Sequence, residues 1–343
     1  MSTQDGRAQA PKRATITDVA RVAGVSRGAV SKVIRDAYGV SPAMRARVEE
    51  AIERLAYRPR TAARALRGSG FTIGLALPVF GNDFFSQIVL GVNETLAGTG
   101  YRFILAPDTS ESSSSHTLDA LADREVDGII AVSPMVSTDW LENLARYVPV
   151  VVIGRHDMPA GYDTVNGDDA AGARLVMNHL LEQGHRRIVH LTGDYVQVAA
   201  RPADPHSIRS VVFREMMLSA GLVPRQVTTA ADPAAIVACV RDLLAGDEPP
   251  TAIFAAHDFL AIHALRVVAT SEPRVAIAGY DGVDIASHPM ISLTTVDQRG
   301  VEIGRTAATL LLERIKGRTT PARHVSTPEL LIRRSTAPDG ATG

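Results

Sequence analysis

From Thr72 onward, apolar runs of strand length alternate with segments of helix length almost to the end of the chain. This alternation constrains the fold more than any other feature. Strands joined through helices run parallel, and a parallel sheet has to be covered by helices on both faces. Strands are expected at Thr72–Pro78, Arg102–Ala106, Gly128–Ser133 and Pro149–Gly154, with a second series at Arg187–Thr192, Thr251–Ala255, Val275–Tyr280 and near Leu293–Val296. Helices are expected over Phe84–Leu96, Asp169–Glu182, Arg209–Ala220 and Phe259–Thr270. Two series make two lobes, each a doubly wound α/β sheet. Ligands of such sheets bind beyond the carboxyl ends of the strands, and a cleft between two lobes gathers those loops from both sides.

The loops after these strands repeat one kind of chemistry. Asn82-Asp83-Phe84-Phe85 follows the first strand and Gly154-Arg155 the fourth. Arg209 opens a helix, and His257-Asp258, Asp281 and Gln298 follow later strands. Aromatic faces stack on a sugar ring, while carboxylate, amide and guanidinium groups meet its hydroxyls. Each residue alone has an ordinary reading, since Asp and Asn cap helices and Arg makes surface pairs. Their shared placement nominates Asn82, Asp83, Phe84, Phe85, Arg155, Arg209, His257, Asp281 and Gln298 as the ligand-binding set.

Upstream of Thr72 the chain changes character. Residues 1–68 hold 14 Lys+Arg against 6 Asp+Glu, which leaves 22 basic against 31 acidic groups for the remainder. A basic head on an acidic body is the asymmetry expected when only the head meets a polyanion. The run from Thr15 to Gly24 reads as a short helix with Thr17 as N-cap, Asp18 in the first turn and Gly24 at the stop, and Ser26 can cap a second helix over Arg27–Ile34. Two helices joined by so short a Gly-containing turn make a helix-turn-helix. A third helix begins at Ser41-Pro42, where Met44, Val48, Ile52 and Leu55 recur at helical spacing. The start of the second helix would face a major groove with Arg27, Gly28, Ala29, Ser31 and Lys32; Thr15, Ser26, Ser41 and Tyr57 suit phosphate oxygens. Arg35 and Arg60 extend the same basic surface. Thr61 to Leu66 is a helix of barely two turns, too short to stand alone in water, and it ends in a Gly-Ser-Gly linker. Paired with a second copy over DNA, it would present Ala63 and insert Leu66 into a minor-groove base step.

The segments Ile16-Thr17-Asp18-Val19-Ala20, Ala23-Gly24-Val25-Ser26, Ala29-Val30-Ser31-Lys32-Val33, Leu55-Ala56-Tyr57-Arg58-Pro59 and Ala62-Ala63-Arg64-Ala65-Leu66 together resemble the headpiece and hinge of the lactose-repressor/galactose-repressor (LacI/GalR) family. The body resembles that family's periplasmic-binding-protein-like sensor. The signatures are Ile73-Gly74-Leu75, Asn82-Asp83-Phe84-Phe85, Asp127-Gly128-Ile129-Ile130, the run from Val165 to Gly172, the run from His179 to Ile188, Gly279-Tyr280-Asp281 and Leu293-Thr294-Thr295-Val296. The resemblance implies a hinge that orders on operator DNA, with Leu66 as its wedge. It also implies an effector shell that includes Phe84, Phe85, Arg155, Arg209, His257, Asp281 and Gln298. Three positions depart from the family pattern: Asp83 replaces a frequent proline, His257 replaces a frequent asparagine and opens the site to pH sensitivity, and Asp194 to Ser207 is rebuilt beside Arg209.

The expected fold is therefore an all-α helix-turn-helix headpiece plus hinge helix, joined to an α/β two-lobed core of doubly wound parallel sheets. Its expected limits are a disordered tail at 1–13, headpiece 14–58, hinge and linker 59–70, and core 71–335. Lobe 1 takes about 71–164 and 299–320, lobe 2 about 165–298 and 321–335, and a second disordered tail 336–343. The expected function is a regulator, a repressor, whose operator affinity follows a small-molecule effector, a sugar. Its partners would be a pseudo-palindromic double-stranded DNA, the effector and a second copy of the chain, with no membrane; the tail lacks the leucine heptads of a tetramer. No cofactor, metal or catalytic residue is expected, because the histidines show no metal-ligand spacing. Cys239, the single cysteine, is expected to be buried and inert in a cytoplasmic protein. A solute-binding protein of a transporter would fit the body, but not the basic head or the polar N-terminus. A sugar-acting α/β enzyme would be expected to show a dinucleotide fingerprint, phosphate loop or nucleophile elbow, and none occurs.

Overall fold

Among the described residues, three helices organise the first unit of the chain, which ends at Gly70. The computed structural model describes residues 15–34, 40–55, 70–78, 83–108, 113–193 and 203–337. Helix α1 spans Ile16–Ala23, α2 Arg27–Ile34 and α3 Pro42–Arg54. Gly24 stands at φ 65 and lets the chain turn sharply after α1, a conformation that suits a residue without Cβ. Val19, Ala20, Ala23, Val30, Val33, Val48 and Ala51 form the buried core of this unit. One expectation is corrected: the cap of α1 is Thr15, not Thr17. The Thr15 amide donates to Asp18 Oδ2 at 2.9 Å and the Asp18 amide to Thr15 Oγ1 at 3.4 Å, a reciprocal box that draws the helix start forward. Ser26 and Ser41 do cap α2 and α3, and Pro42 occupies the first position of α3. Arg35, Tyr57, Arg60, Ala63 and Leu66, and with them the hinge, lie outside the described residues.

The second unit begins at Phe71 and holds two six-stranded sheets. In sheet 1 the order is β11-β5-β4-β3-β1-β2, built from β1 Thr72–Leu77, β2 Arg102–Pro107, β3 Gly128–Val132, β4 Val150–Ile153, β5 Asp163–Gly167 and β11 Arg323–Ser326. In sheet 2 it is β12-β10-β9-β8-β6-β7, from β6 Ile188–Thr192, β7 Arg225–Thr228, β8 Ala252–Ala255, β9 Ala276–Asp281, β10 Thr294–Asp297 and β12 Glu329–Leu331. All pairings are parallel except β10 with β12. Helices α4 (Asp83–Leu96), α5 (Ser113–Ala122), α6 (Thr138–Ala145) and α11 (Gly300–Ile315) cover sheet 1. Helices α7 (Asp169–Glu182), α8 (Pro205–Ser219), α9 (Pro233–Ala245) and α10 (Asp258–Val268) cover sheet 2. The chain passes between the lobes three times: after β5, between β10 and α11, and between β11 and β12.

Several limits differ from expectation for identifiable reasons. β5 and β11 pair along Thr164 to Gly167 and belong to sheet 1, so lobe 1 runs to Gly167 and again to Ser326, past the expected 164 and 320. Arg209 does not open its helix. α8 starts at Pro205 because Asp204 caps it, accepting from the His206 amide at 2.8 Å. Thr336, expected in a disordered tail, is buried, with its hydroxyl 2.7 Å from that of Thr294 and 2.8 Å from His179 Nε2. Cys239 on α9 is half-buried rather than enclosed, and its thiol is pushed up by that burial and by Asp242.

Helices α4 and α11 lie backbone against backbone. A Cβ on Gly304 would overlap the Ile88 carbonyl, and one on Gly91 the Val301 carbonyl. Gly304→Ala is therefore expected to lower stability by about 1–3 kcal/mol through overpacking. A reduced urea midpoint would show it; a midpoint equal to that of the parent chain would mean the helices separate at no cost.

Candidate functional site

The carboxyl ends of both sheets face a cleft of about 560 Å³, part of it open to solvent. Lobe 1 contributes Phe84 and Phe85 from the start of α4, Ser133 after β3 and Asn166 at the end of β5. Lobe 2 contributes Asp169 of α7, His206 and Arg209 of α8, His257 after β8, Asp281 at the end of β9, and Gln298 after β10. The cleft thus brings together Phe84, Phe85, Arg209, His257, Asp281 and Gln298 of the expected set. Asp83 is exposed at the head of α4 and does not line it, and Asn82 lies outside the described residues.

Arg209 is the buried cation of this site, its side chain 4% exposed. Its Nε donates to Asp169 Oδ1 at 3.1 Å and its Nη1 to the Ala256 carbonyl. The guanidinium carbon sits 4.1 Å from the centre of the Tyr280 ring, a cation–π stack that fixes the plane of the fork. Among the described residues its Nη2 has no protein partner, which leaves donors for a ligand.

Asp281 adopts φ 132, a strained value for a residue with a side chain, at the point where its carboxyl meets the cleft. Gln298 Nε2 donates to its Oδ1 at 2.6 Å. Burial, then the neighbouring Asp258 carboxylate, push the Asp281 carboxyl well above its usual range and favour its protonated form. Asp258 is itself raised to about 6 by burial, although it accepts from Thr295 Oγ1 at 2.6 Å and from the Val283 amide at 3.0 Å.

Burial takes His206 down to about 3, and burial with His206 and Arg209 nearby takes His257 well below its ordinary value. Both imidazoles are therefore neutral at physiological pH, which corrects the pH sensitivity expected of His257. Its Nδ1 accepts from the Leu260 amide at 3.4 Å, so its proton resides on Nε2. One cation neutralised by Asp169, two neutral imidazoles, a carboxyl biased toward its acid form and two phenyl faces suit a neutral, polyhydroxylated ligand.

Arg155 is a second correction. Its Nε and Nη2 reach both oxygens of Asp157 at 3.2 and 2.6 Å, its Nη1 the carbonyls of Pro134 and Val136, and its Nη2 also Thr138 Oγ1 at 3.1 Å. All five N–H groups are spent on the protein, so the side chain clamps a loop and offers nothing to a ligand. It borders a neighbouring, more open cavity of about 1290 Å³ with Asp157 and Met158 rather than the cleft. Asp169 and His206 were not anticipated. A caps-and-turn signal, the Asp168-Asp169 pair after a strand, would have pointed to the first had β5 been recognised.

On the helix-turn-helix unit, Arg27, Gly28 and Lys32 are exposed on α2, with Ala29 and Ser31 half-buried. Ser26 and Ser41 spend an oxygen lone pair on their caps and keep a hydroxyl proton for a phosphate. Thr15 does not, because its hydroxyl donates to Asp18 Oδ2 at 2.7 Å. Among the described residues no helix is long and apolar enough to cross a membrane, and no three His, Cys, Asp or Glu are grouped to hold a metal.

Comparison with known proteins covers both units. Residues 15–60 match the model for bacterial regulatory proteins of the lacI family, and residues 177–336 that for a periplasmic binding protein-like domain. The HTH-type transcriptional regulator CelR of Thermobifida fusca is 35% identical over 345 residues, covering 94% of this chain and 98% of that protein. The ribose operon repressor of Escherichia coli (strain K12) is 31% identical over 335 residues, covering 94% and 100%. Among solved structures, the complex of the transcriptional regulator CelR with cellobiose is 32% identical, covers 94% of this chain and 100% of that one, and matches with a TM-score of 0.65.

Proposed function

The chain belongs to the LacI family of bacterial regulators, and on that premise we propose that it is a sequence-specific transcriptional repressor whose operator affinity is set by a neutral sugar bound between the two lobes. The observation that carries this reading is the presence, in one chain, of a helix-turn-helix with Arg27 and Lys32 exposed on its second helix and of a cleft built around Arg209. The relatives include a transcriptional regulator in complex with cellobiose and a ribose operon repressor, which favours a sugar here. Arg27, Gly28, Ala29, Ser31 and Lys32 would read base edges, with Ser26 and Ser41 on the phosphates. In the cleft, Phe84 and Phe85 would stack on the ring, and Arg209, His257, Asp281 and Gln298 would meet its hydroxyls.

Two copies would bind a pseudo-palindrome in the cytoplasm, and sugar binding would change the spacing of their headpieces by shifting the lobes. The test is selection of bound sequences from a random DNA pool with the full-length protein at fixed salt. A palindrome of about 14–20 base pairs is expected, with its enrichment altered by one member of a panel including cellobiose and ribose. No enrichment, with or without the sugars, would overturn this reading in favour of a solute-binding protein.

A further inference from the structure

Among the described residues, side chains join the two walls of the cleft at several places, Ser326 Oγ of β11 donating to the Gln298 carbonyl at 3.3 Å among them. Gln87 Nε2 of α4 donates to the Gly282 carbonyl at 3.1 Å. Elsewhere, His156, in the loop after β4, places its Nε2 2.8 Å from Asp169 Oδ2, and its amide donates to the Ala203 carbonyl at 3.0 Å. Asp169 is only 2% exposed, and its other oxygen is the one held by Arg209 Nε. One buried carboxylate is thus shared between a residue of lobe 1 and the cation of lobe 2.

The loop that carries His156 cannot bend to follow a departing partner. Arg155 spends its five N–H groups inside lobe 1, and its backbone N–H and C=O are both held by the Asn166 side chain, at 2.9 and 2.7 Å. Asp157 accepts further from Thr138 Oγ1 at 2.9 Å and Tyr162 Oη at 3.0 Å. His156 therefore projects from a rigid arm. Separation of the lobes has to break its bond to Asp169, and the freed oxygen would then compete for a second N–H of Arg209 and turn the fork away from the ligand.

We propose that His156 is a positioning residue of the cleft: it latches lobe 1 to lobe 2 and, through Asp169, aims Arg209. The aiming of Arg209 matters to ligand only under the function proposed above, whereas the latch does not depend on it.

The test uses ligand-free, full-length protein with spin labels on Asp139→Cys of α6 and Glu215→Cys of α8, both exposed positions, in a Cys239→Ser background. Pulsed electron resonance then reads the distance between the lobes. In the parent one narrow distribution is expected. His156→Ala is expected to move it by more than about 2 Å, the scale of hinge rearrangements, with the thermal midpoint unchanged. His156→Gln, which can still donate to Asp169, is expected to restore the parent distribution. A His156→Ala distribution that superimposes on the parent's would overturn the latch. So would a shift in both variants accompanied by a fall in the thermal midpoint, which would show a general structural role. Failure to select any operator would sink the regulatory reading and leave these distances as they are.

Discussion

Arg209→Ala is expected to abolish the operator response to sugar while leaving operator affinity without sugar within a few-fold of the parent's. The substitution removes the guanidinium donors that face the cleft and leaves the buried Asp169 with His156 as its remaining side-chain partner. Truncating one partner of a buried, hydrogen-bonded charge pair at a binding site costs about 2–5 kcal/mol, roughly 30- to 4000-fold in affinity. The headpiece residues 15–55 are not altered, so DNA binding itself provides the internal control. Operator titrations with and without a sugar that acts on the parent, beside calorimetry of that sugar, give both quantities. A response of normal size and midpoint would remove Arg209 from the binding site.

The second large effect falls on stability. Asp163 opens β5, is fully enclosed, and carries the charge balance for two arginines. Arg318 reaches it with Nη2 at 2.5 Å and Nη1 at 3.1 Å, Arg314 Nε lies 2.9 Å away, and the Ala322 amide donates to it at 2.8 Å. Arg314 is 8% exposed, so with Asp163 neutralised its charge has no compensation and little water. Asp163→Asn keeps the shape and removes the charge. Breaking a buried pair in this way costs about 3–5 kcal/mol, larger than the overpacking effect at Gly304. A thermal midpoint many degrees lower is expected, with protease cleavage near residues 318–326 as β11 detaches. An unshifted midpoint would mean that the Ala322 amide and packing hold β11 without the ion pairs.

The parallel two-lobed architecture was legible because most of its strands are short apolar runs, such as Ile129 to Val132, separated by helix-length segments. β5 was not. Asp163-Thr164-Val165-Asn166-Gly167 is wholly buried yet mostly polar, and its Asp163 carboxylate is satisfied by residues that lie far along the chain, Arg318 and Ala322. A period-two or apolar pattern cannot register a strand stabilised in that way, and the misplaced lobe limits follow from the omission of β5 and of its edge neighbour β11.

The cleft shows the same division. Phe84, Arg209, His257, Asp281 and Gln298 stand beyond strand ends, where loops of such sheets converge. Arg155 has the same position in sequence, but its guanidinium meets the loop carbonyls of Pro134 and Val136 first. Position after a strand tells which side chains are near the cleft; it does not tell which of them still have a free donor. Asp169 gains its role from Arg209, 40 residues away, a pairing that only the folded chain reveals.

The threefold passage of the chain between the lobes also sets an order of assembly. β11 closes the edge of sheet 1 at residues 323–326, α11 fills its face from Gly300, and β12 closes the edge of sheet 2 at 329–331. During synthesis, which proceeds from the N-terminus, neither lobe can be completed until its closing strand, at residues 323–326 or 329–331, has left the ribosome. The helix-turn-helix, by contrast, has all three helices by residue 54. The nascent chain therefore owns its DNA reader for most of its synthesis while the sensor that governs it does not yet exist.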